Sequence, residues 1–227
     1  MNILKIFKKE FENFTLFEII FFFFILFLTV GISLYLKDSK VALMSALCGI
    51  SYTILAGKGR ISCYFIGMIG TFCYCYITYK NGFYGNLALY AFYYFPMEII
   101  GIFKWLKNLK KDKQEIIKTK LTNIQRILYF SLTFLGVILG IVILNLLNGK
   151  VVFIDSIVTV FSILGQFLTV KRCIEQWYVW IIVNFLSLIM WVIAYMNGSN
   201  CFATIIMWCV YLFLAFYFLN IWKKEVK

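Results

Sequence analysis

Long apolar runs broken by short polar or basic segments follow one another from residue 14 to residue 222. A helix needs about 20 predominantly apolar residues to cross roughly 30 Å of hydrocarbon. Runs of that kind fall near 14–36, 41–57, 61–79, 86–106, 126–148, 155–171, 177–197 and 201–222, so the pattern predicts eight transmembrane helices, two of them short. The first run follows Lys5, Lys8 and Lys9 as a signal peptide would, yet it is too long and ends at Leu36-Lys37 without a small-residue cleavage site. It is expected to span the membrane, with an interfacial position as the alternative.

The polar residues inside these runs are not scattered. Trp177, Trp180, Asn184, Ser187 and Trp191 recur at helical spacing and share one stripe of the seventh run. Lipid offers Asn184 no hydrogen bond, so the stripe is expected to line a path for a flat, polar small molecule. Trp177 begins its helix and also fits an interfacial aromatic belt, whereas Trp180 and Trp191 lie deeper. On the sixth run Asp155, Ser162, Gln166 and Thr169 form a second polar stripe, which would face the first if the two helices pack together. Interhelical hydrogen bonding alone also accounts for Gln166, and Asp155 fits a helix cap better than a ligand contact. On the fourth run Asn86, Tyr90, Tyr94 and Glu98 follow one another turn by turn. A carboxylate at such depth costs roughly 2.5–3.5 kcal/mol on insertion scales, so Glu98 is expected to face a cavity or a partner. The alternatives are a protonated Glu98 bonded to a neighbouring helix, or a position nearer the cytoplasmic end. Pro96, the only proline, is expected to bend this helix, free a backbone carbonyl and serve as a hinge.

Composition fixes the class that the pattern implies. With 63% hydrophobic and 14% charged residues and a mean hydropathy of +0.89, the chain has too little polar surface to coat a soluble globule. The net charge of +12 raises the question of nucleic acid, but 18 of the 22 Lys and Arg residues lie in segments on one side, the other four being Lys37, Lys40, Lys80 and Lys150. The positive-inside rule then places both termini in the cytoplasm, in an inner-membrane protein with no need of a nucleic-acid partner. Segment 104–126 is the one long loop, basic and helix-prone, and reads as a topology anchor touching anionic headgroups. Glu18, near the start of the first run, is expected to snorkel at the cytoplasmic end.

Sliding the chain by 116 residues brings Gly49 onto Gly165, Tyr64 onto Trp180, Thr71 onto Ser187 and Asn81-Gly82 onto Asn197-Gly198; one inserted residue later Trp105 meets Trp222. Two odd-numbered repeats can face the same way only if a linker helix separates them. The expected architecture is therefore a parallel 3+1+3 repeat with one additional N-terminal helix and a substrate path between the copies. The expected divisions are 1–40 (basic N-terminus and extra helix), 41–106 (first three-helix repeat), 107–154 (basic loop and linker helix) and 155–227 (second repeat and tail).

Absent residues narrow the chemistry. The chain has no His, no Walker sequence and no phosphate-cradling glycine loop, and no Lys or Arg lies mid-span. No cofactor or metal is expected, and a phosphorylated substrate would lack a counter-charge. A membrane-embedded enzyme would need paired acids or a metal, yet the deep carboxylates Glu18 and Glu98 sit on separate helices. The seven cysteines lack CxxC spacing and read as small buried hydrophobes.

Ile154 to Gln166, then Lys171, Arg172 and Glu175 leading to Trp177, Trp180 and Asn184, resemble the PnuC family of nicotinamide riboside transporters. So do Gly59-Arg60-Ile61 leading to Tyr64 and Gly67, Tyr84-Gly85, and Tyr94-Phe95-Pro96-Met97-Glu98 running to Gly101 and Trp105; together these cover about residues 41–224. The resemblance implies a SWEET-like all-α membrane fold and uptake of a vitamin precursor by facilitated diffusion, trapped by a cytoplasmic kinase. It also implies Gln166, Trp177, Trp180 and Asn184 as substrate contacts. Tyr90 stands where relatives often carry an amide, and Glu98 where they vary among Asn, Gln and Glu. The expected partners are thus an aromatic cationic nucleoside or vitamin and membrane lipid, with self-association open. A thiamine facilitator of the same fold is the runner-up, followed by a non-transporting capture subunit.

Overall fold

The structure is a computed structural model that describes residues 11–12, 14–80, 84–109, 116–146, 152–199 and 202–226. Its helices are α1 (Leu16–Tyr35), α2 (Lys40–Gly57), α3 (Ser62–Lys80), α4 (Tyr84–Leu89), a π-helical turn (Tyr90–Tyr94), α5 (Phe95–Leu106), α6 (Asn123–Leu146), α7 (Val152–Val170), α8 (Gln176–Met196) and α9 (Phe202–Glu225). Seven helical stretches among the described residues are long and apolar enough to cross a membrane, the π turn joining α4 and α5 into one of them. The eighth expected span is present as α3, whose Gly67, Gly70 and Thr71 together with its cysteines and tyrosines leave it less apolar than the rest. Large apolar side chains such as Phe24, Phe27, Ile124, Phe134 and Leu139 point outward, an arrangement that only lipid solvates well. The chain is a multi-pass membrane protein.

Six helical segments close into a ring: α2 packs on α3, α3 on α5, α5 on α7, α7 on α8, α8 on α9, and α9 back on α2. α6 lies outside the ring against α7, and α1 lies outside it against α2 and α9. Two fully buried tryptophans tie the ring across its seams. Trp105 of α5 donates its indole N–H to the Thr169 carbonyl of α7 at 3.3 Å, and Trp222 of α9 donates to the Gly57 carbonyl of α2 at 2.8 Å. Each satisfies a carbonyl near a helix C-terminus, where intrahelical partners run out.

α1 is fixed at both ends. Thr15 and Glu18 form a reciprocal capping box, and the Glu18 carboxylate also receives Lys58 Nζ at 3.0 Å and the Tyr217 hydroxyl at 3.2 Å. Glu18 is therefore a buried ion-pair partner rather than a snorkelling side chain, because Lys58 and Tyr217 supply the charge and hydrogen bond that water would otherwise give. Beyond the other end of α1, both carboxylate oxygens of Asp38 accept from the backbone N–H groups of Phe202 and Ala203, capping α9.

The connector after α5 departs from its helical expectation. Residues 116–122 run as an extended strap, with Ile116 bridged to Leu109 and Thr119 bridged to Cys173. The turns it crosses offer unpaired backbone groups, which an extended chain can pair with and a helix cannot. Ile116 N–H donates to Gly59, Ile174 N–H to Thr119, and Thr119 N–H to Arg172. Gly59 has a φ of 70°, and a side chain there would meet Ile116 Cγ1 at 2.8 Å, so only glycine lets the strap lie this close. Thr122 and Gln125 then exchange side-chain to backbone hydrogen bonds and start α6.

Three smaller expectations change. Asp155 lies within the first turn of α7 rather than at its cap. Cys48, Cys63 and Cys173 are buried as expected, but Cys209 faces outward from α9. The Asn81-Gly82 part of the internal repeat lies outside the described residues.

Candidate functional site

A cavity of about 100 Å³ lies inside the ring and receives side chains from α2, α3, the π turn, α5, α7, α8 and α9. Its walls include Trp177, Trp180, Asn184, Gln166, Glu98, Tyr94 and Tyr90, so seven of the eight residues singled out from the sequence converge on one space. Such convergence requires α7 and α8 to pack stripe to stripe. They do: Trp180 donates its indole N–H to Thr169 Oγ1 at 3.1 Å, and Thr169 Oγ1 in turn donates to the Gly165 carbonyl at 2.9 Å. A Cβ on Gly165 would stand 3.0 Å from the Trp180 ring, so the missing side chain sets how closely the indole lies on α7.

Trp191 is the eighth, and it does not line the cavity. Its indole N–H donates to the Tyr74 hydroxyl at 3.0 Å, and the rings meet edge to face at 5.9 Å. Tyr74 does reach the cavity, and its ring lies tilted 4.4 Å from that of Tyr90, which lies 4.4 Å from Tyr94. Trp191 thus stands behind the tyrosine wall.

The π turn explains how Tyr90 and Tyr94 both reach this wall. Phe95 N–H donates to the Tyr90 carbonyl, a wider closure than an α-helix makes, and Pro96 follows with no N–H to restore the regular ladder. The expected irregularity at Pro96 is therefore present, shifted into the turn before it. It rotates the aromatic stripe relative to Glu98 without ending the helix.

Glu98 is 5% exposed and is the only carboxylate on the cavity wall, which carries no Lys or Arg among the described residues. Thr71 Oγ1 donates to Glu98 Oε1 at 2.9 Å, while Glu98 Oε2 has no hydrogen-bond partner among the described residues. The indole N–H groups of Trp177 and Trp208, both on the same cavity, are likewise unpartnered. Buried polar atoms of this kind are normally paired, and each orphan costs roughly 1–3 kcal/mol. These two indole donors, the Tyr52 hydroxyl and the one carboxylate oxygen, unpaired among the described residues around a single space, are what a polar ligand would satisfy. Among the described residues no group of His, Cys, Asp and Glu could hold a metal ion.

Sequence reasoning missed Tyr52, Thr71, Tyr74, Trp208 and Tyr211 on this wall. The internal repeat held a signal for Tyr211, because the slide that sets Trp105 on Trp222 also sets Tyr94 on Tyr211. Trp208 had none, since α9 is apolar on every side and carries no polar stripe to mark a face.

Residues 39–224 match the family described as nicotinamide mononucleotide transporter. The nicotinamide riboside transporter PnuC of Neisseria mucosa is 30% identical over 226 residues, covering 97% of this chain and 86% of the relative. The protein of the same name from Haemophilus influenzae is 30% identical over 192 residues, covering 84% of this chain and 82% of the relative. The crystal structure of the vitamin B3 transporter PnuC superposes with a TM-score of 0.88 at 28% identity, over 100% of this chain and 98% of that one.

Proposed function

The chain belongs to the PnuC family of nicotinamide riboside transporters, and from that premise we propose that it carries nicotinamide riboside across the cytoplasmic membrane by facilitated diffusion. The observation that carries this reading is the charge on the cavity wall: among the described residues one carboxylate, no Lys or Arg, and a surround of aromatic rings. A pyridinium riboside brings one positive charge to that wall. Its mononucleotide brings a phosphate as well, with Glu98 for company and no cation to meet it. Relatives share a family description that names the mononucleotide and individual names that specify the riboside; the electrostatics here favour the riboside.

Within this reading Trp180, with Trp177, stacks on the pyridinium, an interaction of about 0.5–2 kcal/mol when desolvated. Asn184 and Gln166 bond the carboxamide or ribose hydroxyls, and Glu98 supplies the negative potential. Tyr90 and Tyr94 form the opposing wall, and Trp191 positions it through Tyr74. The order of helices around the ring supports two three-helix units, residues 41–106 and 155–227, with α6 as the linker and α1 as an added helix. A cavity of about 100 Å³ is below the roughly 300–1,000 Å³ of ordinary small-molecule sites. Entry therefore separates side chains or helices, and rocking of one unit against the other provides that, with access alternating between the two sides. Both termini lie on the cytoplasmic side, and net uptake follows from intracellular phosphorylation, which gives the product a charge that the cavity does not accept.

Thiamine is the second reading, favoured by the same pairing of aromatic walls with Glu98. Equilibrium binding of nicotinamide riboside, its mononucleotide and thiamine to the purified protein separates the cases. Selective riboside binding is expected; equal binding of the mononucleotide overturns the charge argument, and preference for thiamine moves the substrate.

A further inference from the structure

The face that carries the basic loops holds a second, chemically opposite pocket. It has a volume of about 400 Å³ and lies where the strap crosses the end of α5 and the turn between α7 and α8. Lys104, Lys120, Lys171 and Arg172 all contribute to its wall, with Asn108 and Thr119 beside them and no carboxylate among the described residues. Three other cations on this face each meet an acid: Arg126 meets Glu175 at 2.8 Å, Lys58 meets Glu18 at 3.0 Å, and Lys118 meets Glu225. The four cations of the pocket share no such partner on its wall.

The pocket is also structurally fixed. Arg172 holds a left-handed backbone, φ 64°, a conformation that side chains other than glycine's rarely adopt. Its guanidinium donates to the Ile117 carbonyl at 2.9 Å and so anchors the strap. Burial lowers the pKa of the Arg172 guanidinium from its ordinary value. Lys171 is held against the Tyr129 and Phe167 rings while its Nζ donates to the Tyr129 hydroxyl at 2.7 Å. Thr119 is bonded to the carbonyls of Lys171 and Arg172. Two cations are thus held rigidly, while the exposed Lys104 and Lys120 flank them.

We propose that this pocket is a binding site for a phosphoester anion, supplied either by an anionic lipid headgroup or by a soluble phosphorylated metabolite. A phosphate group presents several acceptor oxygens and one to two negative charges, which suit a guanidinium fork, clustered ammonium groups and an amide. Bound there, it joins the strap to α5 and to the α7–α8 turn, and so stiffens the connection between two parts of the helical ring. The site stands apart from the aromatic cavity and depends on no assignment of the transported substrate.

The test measures thermal unfolding of the full-length protein in detergent with glycerol phosphate, with phosphatidylglycerol or with phosphatidylcholine, and with chloride at matched ionic strength. A saturable rise in unfolding temperature with glycerol phosphate or phosphatidylglycerol is expected, and the one that responds names the source. In Lys104→Ala/Lys120→Ala the apparent affinity should fall at least about tenfold, and Lys104→Arg/Lys120→Arg should keep it. Lys120→Ala alone, an exposed position, gives the same comparison if the double variant is unstable. No response to either phosphoester, an equal response to chloride or phosphatidylcholine, or a response retained in the alanine variants overturns the assignment.

Discussion

Thr71 gives its hydroxyl hydrogen to one oxygen of Glu98 and leaves the other, buried oxygen without a hydrogen-bond partner among the described residues. This single bond fixes the carboxyl group across α3 and α5 while sparing the atom that a ligand would use. Glu98→Gln keeps the size and the Thr71 contact but removes any charge. Riboside affinity should fall at least about tenfold, or about 1.4 kcal/mol, and the binding of uncharged nicotinamide should change little. Calorimetric titration of both ligands separates charge from shape, and equal losses for the two would assign Glu98 a structural role instead.

A second relationship is steric. Gly165→Ala would place a methyl group 3.0 Å from the Trp180 indole, which its hydrogen bond to Thr169 holds in place. The ring should shift into the cavity, weakening riboside binding several-fold while the unfolding temperature changes little. Trp180→Ala should abolish measurable binding, and Trp180→Phe should retain part of it, because a smaller aromatic face remains. A Gly165→Ala protein that binds like wild type would show that the indole position is not set by α7.

These side chains are also where the sequence is most readable. A polar residue inside an apolar helix is conspicuous, so the stripes through Gln166 and Asn184 mark faces, and helical periodicity brings them together once α7 and α8 pack. The strap is the opposite case. Its lysines, with Gln114 and Glu115 before them, favour helix by intrinsic propensity, but Gly59, Arg172 and Cys173 offer backbone pairing that local sequence does not encode. The role of Glu18 depends on Lys58 and Tyr217, distant in the chain, and no local pattern announces such a partnership. Trp208 is hidden for a different reason: on a helix apolar all round, no contrast identifies the inward face.

Lys58 and Glu18 form the tie between α1 and the ring, with Lys58 13% and Glu18 5% exposed. Removing one member of a buried pair leaves the other without compensation and typically costs about 3–5 kcal/mol. Lys58→Met should therefore lower the unfolding temperature strongly, and the double variant Glu18→Met/Lys58→Met should recover much of the loss. Denaturation monitored by tryptophan fluorescence gives both values. If the single and double variants are equally unstable, the contribution of α1 comes from its apolar packing and not from this pair.

Trp191 supplies the sharpest contrast with Trp180, because both share the α8 stripe and only one touches the cavity. Trp191→Phe removes an indole N–H that donates to Tyr74, keeps most of the aromatic packing, and leaves the cavity wall itself intact. Losing one net hydrogen bond costs about 0.5–1.5 kcal/mol, so stability should fall modestly. Riboside binding should weaken no more than a few-fold, through added freedom of the Tyr74 and Tyr90 rings, whereas Trp180→Phe, which likewise gives up one indole hydrogen bond, should lose affinity by clearly more. The two variants are thus alike in stability and separate in binding. A Trp191→Phe protein that loses binding as completely as Trp180→Ala, at unchanged stability, would mean that the indole enters the substrate path in another state of the transport cycle.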